Sequence, residues 1–166
     1  MLGEEKMMDN KRVEAGGLIY KDHIGMVGLI GIPTHPGTGG RYFTELADSG
    51  IHVELIVTLS DGDKYDHIMV CVDRDDLDST IEITERIHKT VGSKSVIHDI
   101  QVALVCISSL DFDESQVIAG HMFKTLGDHD INIQGISTSV SSVTCMINSE
   151  DLDPALSALR QAFILP

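Results

Sequence analysis

The stretch GIPTHPGTGGRYF, residues 31–43, carries four glycines and two prolines just before a helical pattern of apolar residues. A glycine-rich turn ahead of a helix can bind an anion, because the N–H groups of the first helical turn point outward there. Such a turn could serve a nucleotide phosphate or the carboxylate of a small molecule. It could also bind nothing, the glycines serving only to form the turn.

The stretch lacks the patterns of the two common nucleotide-binding loops. A P-loop has a Lys-Ser/Thr pair directly after its last glycine, whereas Arg41 and Tyr42 follow Gly40 here. A dinucleotide-binding turn needs G-x-G-x-x-G, and Tyr42 occupies the third glycine position. No nucleophile with an adjacent base stands out elsewhere, so we do not expect the chain to be a complete enzyme. No catalytic residue and no cofactor is predicted.

The metal-binding residue types also lack the spacing of a site. The eight histidines form no H-x-x-x-H pair, and the three cysteines form no C-x-x-C pair. The segment DGDKYD (61–66) begins like a calcium loop, but Tyr65 replaces an oxygen ligand and Asp66 replaces the turn glycine. We predict a hairpin turn there and no metal site.

Composition excludes several classes of protein. The net charge of −14 and the absence of a basic stripe argue against nucleic acid as a partner. Apolar runs are the length of strands, so no membrane-spanning segment is expected. Cys71, Cys106 and Cys145 each lie in an apolar run, which is typical of reduced, buried thiols. With no signal-like N-terminus, these features predict a cytoplasmic protein.

The elements that must position the glycine-rich turn occur twice. Three pairs of segments match one another: FTELADSGIHVELIVT (43–58) and FKTLGDHDINIQGIST (123–138), DDLDSTIEIT (75–84) and EDLDPALSAL (150–159), MVGLIGI (26–32) and QVALVCI (101–107). Agreement over three successive elements indicates a duplication.

The first copy has apolar patterns in the order strand, helix, strand, strand, helix, strand, and the second copy repeats this order up to its second helix, which predicts an α+β fold of two ferredoxin-like βαββαβ domains. Each would be a four-stranded antiparallel sheet with helices on one face and the other face exposed. We place the first domain at 24–98 and the second at 99–166. The second lacks a last strand, which residues 13–20 would supply; residues 1–12 are expected to be disordered. Sheets with open apolar edges also predict a homodimer.

The motifs GIPTHPG after the first strand and INIQGISTS (131–139) in the second copy resemble those of the tandem ACT domains of aspartokinase (aspartate kinase). The resemblance extends from Gly17 to Leu165. It includes GLIYKD (17–22), which is similar to the strand that joins the kinase to its regulatory part and completes the second ACT sheet in that family. The catalytic half, with its Lys-Phe-Gly-Gly opening, is absent. Some members have a separate regulatory subunit of this size.

The resemblance implies an effector amino acid, threonine or lysine, bound at an interface between ACT domains. The implied effector-binding residues are Thr34, Pro36, Gly37, Thr38, Gly39, His52, Val53, Glu54, Thr58, Asn132 and Ile133. The glycines would let the carboxylate approach the backbone, and the helix N-terminus would favour its charge. A simple tight turn is the alternative for these glycines.

The chain departs from the family pattern at effector-facing positions. Thr34 stands where an aspartate is common, and Thr58-Leu59 where Gln-Asn is common. Residues 109–118 lack a second Pro-Gly type loop, and Val140 replaces a glutamate. Glu54 is the nearest candidate to supply the charge missing at Thr34.

These observations favour an allosteric, amino-acid-binding regulatory protein of aspartate kinase, acting in feedback control of lysine, threonine and methionine biosynthesis. Its partners would be a second copy and a catalytic kinase subunit. Two alternatives stay open: a free-standing amino-acid-binding ACT protein with another partner, and a module that only dimerises.

Overall fold

The structure is a computed structural model that describes residues 12–62, 64–109 and 115–166. The elements in chain order are β1 Val13–Glu14, β2 Gly17–Pro33, α1 Thr38–Asp48, β3 Val53–Ser60, β4 Tyr65–Asp73, α2 Leu77–Val91, β5 Ser95–Ser108, α3 Ser115–Asp128, β6 Gly135–Thr138, β7 Ser142–Asn148, α4 Leu152–Ala162 and β8 Phe163–Ile164. The mixed fold with antiparallel pairing confirms the predicted class.

Two long strands run through both copies of the repeat. β2 and β5 pair antiparallel with each other, with irregular register near Ile24. From Ile24 onward β2 also pairs with β4, whereas Gly17–Lys21 pairs with Leu104–Ser108 of β5. In the described part of the chain, one six-stranded sheet therefore has the order β3-β4-β2-β5-β7-β6. The two predicted four-stranded sheets share these strands rather than standing apart.

We call the helices α1 and α2 with β3, β4, the second half of β2 and the first half of β5 the first unit. The second unit comprises α3, α4, β6, β7, the first half of β2 and the second half of β5. In both units a short 3₁₀ turn leads into the later helix. The side chain of Asp73 accepts a hydrogen bond from the Asp75 N–H at 2.9 Å, and Asn148 accepts one from the Glu150 N–H at 2.9 Å.

Strand pairing gives the true match between the first strands of the two units. Met26 pairs with Cys71, and Leu104 pairs with Met146. Cys71 and Met146 occupy matching positions, because each lies two residues before a capping side chain, Asp73 or Asn148. Their partners Met26 and Leu104 therefore match as well. The prediction that aligned 26–32 with 101–107 was wrong by three residues.

Each unit has its own aliphatic core between its helices and the sheet. A third cluster joins the two units through the faces of the sheet that carry no helices. Its buried members include Met26, Leu55, Cys71, Leu104 and Met146. The Cys71 sulfur lies 3.4 Å from the Met146 sulfur. The expectation that these faces are exposed was wrong for this central region, because the sheet folds back on itself.

The two outer strands, β3 and β6, lie close together across this fold-back. A Cβ atom at Gly135 in β6 would be 3.6 Å from Val57 Cγ2 in β3. Large apolar side chains are exposed on both strands: Ile56, Leu59 and Ile136. Two sheet edges are therefore presented on one side of the molecule.

The N-terminal segment packs on the second unit. Val13–Glu14 pairs in parallel with Phe163–Ile164, and the Arg12 guanidinium donates to the carbonyl oxygen of Phe163. Residues 1–11, most of the segment predicted to be disordered, lie outside the described residues. None of the helices described is both long and apolar enough to cross a membrane.

Candidate functional site

The glycine-rich turn joins β2 to α1. Gly37 precedes the helix with a φ of 97°, in the left-handed region that favours glycine. Within the described ranges, no side chain caps the start of α1. The Thr38 N–H donates to the His35 carbonyl oxygen at 3.5 Å, so the N–H groups of Gly39 and Gly40 are the ones that face solvent or a ligand. The Thr38 hydroxyl donates to the His35 carbonyl oxygen at 3.2 Å, which closes the turn on itself.

A cavity of about 460 Å³ lies beside this turn. Its described lining residues are Pro33, His35, Pro36, Gly37, Thr38, Arg41, Thr90 and Val91. Arg41 and the helix N-terminus supply positive charge, and no described lining residue is a carboxylate. The cavity can therefore hold a small anion or the carboxylate end of a zwitterion. Its size lies within the range of small-molecule sites.

The structure brings together part of the predicted set. Pro36, Gly37 and Thr38 line the cavity, while Thr34 and Gly39 are their neighbours in the turn and in the first turn of α1. The other six do not line it. They lie on or just before the outer strands β3 and β6: His52, Val53, Glu54, Thr58, Asn132 and Ile133. Their predicted role in effector binding stays a prediction.

Sequence reasoning missed the far wall of the cavity. Arg41 lies one helical turn after Gly37, so its spacing could have indicated it. Thr90 and Val91 come from the end of α2 and are brought there by the packing of α2 beside α1. No local pattern in the sequence indicates that contact.

Glu54 is engaged elsewhere. Its carboxylate forms an ion pair with the Lys21 ammonium, and its side chain is 17% exposed. Both residues line a separate groove of about 130 Å³ between the units, together with Leu104, Cys106 and Thr144. Within this chain Glu54 therefore does not supply the charge that is missing at Thr34.

The hairpin between β3 and β4 holds the base of the turn. The Thr34 N–H donates to the Lys64 carbonyl oxygen at 2.9 Å. The Gly31 N–H donates to His67 Nδ1 at 3.3 Å. The Lys94 ammonium lies 3.6 Å from the centre of the Tyr65 ring. These contacts fix the direction in which the chain leaves β2.

Burial raises the pKa values of three groups. The pKa of the Cys71 thiol and that of the Cys145 thiol each rise to about 12. The pKa of Tyr42 is also raised by burial, against the opposing effect of its hydrogen bond with Thr84. These three groups are therefore protonated at neutral pH, and neither of the two thiols is an activated nucleophile.

One cluster of metal-ligating residue types occurs in the described residues. His23, Asp73 and Asp75 bring ligand atoms within 4.8 Å of one another, and all three are exposed. His23 Nε2 lies 3.0 Å from Asp75 Oδ1, which is ordinary hydrogen-bond distance. The cluster lies on the surface at the start of the 3₁₀ turn, and none of its members lines the cavity by the glycine-rich turn.

The chain is similar to known proteins in both sequence and structure. Residues 105–163 match the ACT domain. The regulatory subunit of aspartate kinase from Thermus thermophilus, in its ligand-free form, is similar with a TM-score of 0.83 and 27% identity, over 90% of this chain and 99% of that one. This chain resembles an aspartate kinase regulatory subunit. The likeness confirms the resemblance that the motifs indicated.

Two further comparisons define how far the likeness extends. A structure of aspartokinase alpha and beta subunits is similar with a TM-score of 0.80 and 26% identity, over 89% of this chain and 97% of that one. An aspartate kinase from Pseudomonas fluorescens is 27% identical over 164 residues, 99% of this chain. The chain spans about two fifths of the length of the curated aspartate kinases that it matches.

Proposed function

We propose that the protein is a cytoplasmic regulatory subunit or region of an aspartate kinase and that it binds an amino-acid effector at the glycine-rich turn. The observation that carries the proposal is the cavity at residues 33–41. It combines an uncapped helix N-terminus, the positive charge of Arg41 and glycine residues whose backbone a ligand can approach closely. These features suit the carboxylate that every amino acid has.

The lining favours threonine over lysine as the effector. A lysine side chain would bring a second positive charge into a cavity whose described lining holds Arg41 and no carboxylate. Such like-charge proximity is unfavourable in a partly enclosed site. A threonine side chain requires one hydroxyl partner, and Thr38 and Thr90 offer hydroxyls in the lining.

We propose that the site is completed by a second copy of the chain. The outer strands β3 and β6 lie on one side of the molecule and are related by the internal repeat. A two-fold arrangement could therefore pair β3 of each copy with β6 of the other, which would cover both edges. Asn132 and Ile133, just before β6, would then approach the other copy near the turn and offer backbone or amide oxygens to the ammonium.

A catalytic kinase subunit is the proposed target of this regulation. Support comes from the similar structures, whose descriptions name a regulatory subunit and a pair of alpha and beta subunits. The chain's own content supports it as well, because no catalytic constellation was identified in its sequence.

Binding is tested by thermal shift with the twenty amino acids. A ligand at a hundred times its dissociation constant adds about 2.7 kcal/mol to the stability, which is readily measured. We expect a shift with threonine in the wild type and none with Arg41→Ala. Arg86→Ala is the matched control, because both arginines are 53% exposed and both pair with Glu45, but Arg86 is not a lining residue.

The outcomes separate the proposal from its alternatives. A response that is lost in Arg41→Ala and kept in Arg86→Ala supports the site. A response equal in both variants places the ligand elsewhere. No response to any amino acid favours a module that only dimerises. Binding of threonine without co-purification of a kinase catalytic chain favours a free-standing amino-acid sensor.

Dimerisation is tested by sedimentation of surface variants. Leu59 is 65% exposed on β3, and Leu59→Lys should convert a dimer to a monomer without unfolding it. Val117→Lys, at a residue 58% exposed on α3, is the control that should remain dimeric. A dimer unaffected by Leu59→Lys would contradict pairing through β3.

A further inference from the structure

The second half of β2 contains a bulge just before the glycine-rich turn. Leu29 pairs with Ile68 and Ile32 pairs with Asp66, so Ile30 and Gly31 together oppose His67. Gly31 has a φ of 65°, and a Cβ atom there would lie 2.6 Å from Lys94 Cδ. The bulge therefore requires glycine, and it sets the angle at which the chain enters the turn.

The hydrogen bond at this bulge fixes the protonation state of His67. Nδ1 of His67 faces the Gly31 N–H at 3.3 Å. A backbone N–H can only donate, so Nδ1 must be the acceptor and carry no proton. The single proton of the neutral ring is then on Nε2, which lies 3.5 Å from Asp61 Oδ2.

Charged side chains lie near the His67 ring. Those named here do not preserve the hydrogen bond between the Gly31 N–H and His67 Nδ1 once Nδ1 carries a proton. Asp61 Oδ2 faces Nε2 from the hairpin, on the side of the ring away from Gly31. The Asp66 carboxylate accepts from the Ser60 hydroxyl, and the Lys94 ammonium is placed over the Tyr65 ring. The Lys94 side-chain stem, meanwhile, packs against Gly31.

We propose that His67 is a proton-sensitive positioning residue for the glycine-rich turn. Protonation of its ring breaks the hydrogen bond to the Gly31 N–H and loosens residues 31–38. The added proton turns Nδ1 from an acceptor into a donor, so that two N–H groups meet. The bulge then loses its partner on β4, where the Thr34–Lys64 bond three residues on is the next restraint, while on the other side the Lys94 N–H still donates to the carbonyl oxygens of Ile30 and Gly31 at 2.9 and 3.2 Å. The effector is held more weakly in acid. The meaning of this switch for regulation rests on the proposed function, but the switch itself needs no ligand.

The test is made on the ligand-free full chain by NMR between about pH 8 and pH 5, the range in which histidines titrate. Ring nitrogen shifts report the tautomer of His67, and hydrogen exchange reports the protection factor of the Gly31 amide. We expect Nδ1 to be unprotonated at the upper pH. Protection of Gly31 should fall about tenfold as the ring takes up its second proton.

Two variants separate this role from a merely structural one. In His67→Gln the amide oxygen can accept from Gly31 at every pH, so protection should be kept and its pH dependence lost. His129→Gln is the control, because His129 Nδ1 lies 2.8 Å from the Thr125 carbonyl oxygen and already donates. That variant should keep the wild-type pH dependence at Gly31.

The inference is overturned if Nδ1 of His67 carries the proton at the upper pH. It is also overturned if Gly31 protection is unchanged while the ring titrates, or if His67→Gln keeps the pH dependence. Threonine thermal shifts at both pH values form a separate arm. If threonine binds, a smaller shift in acid that becomes pH-independent in His67→Gln supports the link to effector binding, and an equal shift at both pH values overturns that link. Absence of any shift at any pH contradicts the proposed function, and the NMR result then decides the switch alone.

Discussion

The two units build the same fold around different cores. At three matching positions the first unit has hydroxyl side chains and the second has apolar ones: Tyr42, Thr80 and Thr84 against Met122, Ala155 and Leu159. All six residues are buried. The difference shows how one backbone can be specified either by directional hydrogen bonds or by packing alone.

Two of these hydroxyls, those of Tyr42 and Thr84, form a chain that ends on the backbone, and the third bonds the backbone directly. Thr84 donates to the Thr80 carbonyl oxygen at 2.7 Å, and Thr80 donates to the Asp76 carbonyl oxygen at 2.8 Å. The Tyr42 hydroxyl, 2.7 Å from Thr84 Oγ1, must therefore donate to it. This bond links α1 to α2 at a defined register. The α3–α4 pair relies on aliphatic packing at the same positions.

Alkaline pH should produce the largest effect and act on both units. The pKa of Cys71, between the units, and that of Cys145, in the second core, rise from 9.0 to about 12 on burial. The folded state thus holds these protons more tightly than the unfolded state. Their contribution is complete below about pH 9 and is lost as the pH rises toward 12. Each thiol should lower the free energy of unfolding by up to about 1.4 kcal/mol per pH unit in that window.

Urea unfolding in steps from about pH 8 upward measures this loss. Cys71→Ala and Cys145→Ala should each reduce the slope, since each removes one titrating group. Tyr42 adds a further loss in the first unit above its ordinary pKa of 10.0, because burial raises the pKa of this group in the folded state. A free energy of unfolding that does not change above pH 9 would contradict the burial of both thiols.

Removing the hydrogen bond between Tyr42 and Thr84 should give the next largest change in unfolding free energy. Thr84→Val removes the acceptor of the buried Tyr42 hydroxyl and should cost about 1–3 kcal/mol of unfolding free energy. Tyr42→Phe leaves Thr84 bonded to the backbone and should cost about 0.5–1.5 kcal/mol.

The double variant decides between coupling and simple packing. Combining Tyr42→Phe with Thr84→Val converts this part of the first core to the apolar form of the second unit. We expect its cost to be clearly less than the sum of the single costs in a denaturant-based cycle. Additive costs would mean that the hydroxyls do not act as a pair.

The C-terminal ends of α1 and α3 are closely matched, and substitutions there should have the smallest effects on stability. Gly50 follows α1 with a φ of 73°, and Asp130 follows α3 with a φ of 58° at the matching position. The N–H of the next residue donates to the carbonyl oxygen of the last buried leucine of the helix. These bonds, Ile51 to Leu46 and Ile131 to Leu126, are both 3.0 Å long.

We expect Gly50→Ala to lose about 1 kcal/mol, because a side chain is disfavoured in the left-handed region. Asp130→Gly should gain a few tenths of a kcal/mol, roughly, since it removes that penalty and a negative charge near a helix C-terminus. Melting temperatures of both variants provide the measurement. Opposite signs support the comparison, and destabilisation by Asp130→Gly would contradict it.

The repeat predicted the order of elements correctly because helix caps and amphipathic stripes are local features. The register of the first strands was wrong by three residues, since apolar residues such as those around Met26 and Leu104 resemble one another at several offsets. The strand that pairs with them decides the register. The fold-back of the sheet was missed for a related reason. Buried residues on both faces of a strand produce no alternation that would indicate a second packed layer.

The glycine-rich turn could be identified from sequence because its residue types have few structural uses. Pro36, Gly37 and Thr38 do line a cavity. The pairing of Glu54 with Lys21 and the arrival of Thr90 beside the turn depend on contacts between distant segments. Likewise, the tautomer of His67 follows from a bulge in another strand. Such features become visible once the tertiary fold is known.

The sharing of β2 and β5 has a consequence for how the chain is made. The first unit needs Ser95 and the residues after it to finish its sheet, and those residues continue without a break into the first strand of the second unit. Gly17–Lys21 emerges from the ribosome before the rest of the sheet, but its partner strand is synthesised more than eighty residues later. The second unit therefore does not form from one contiguous segment, because one of its strands precedes the first unit in the chain. The nascent chain must keep an unpaired half-strand available until about residue 108 has been added, so folding is expected to be slow and late.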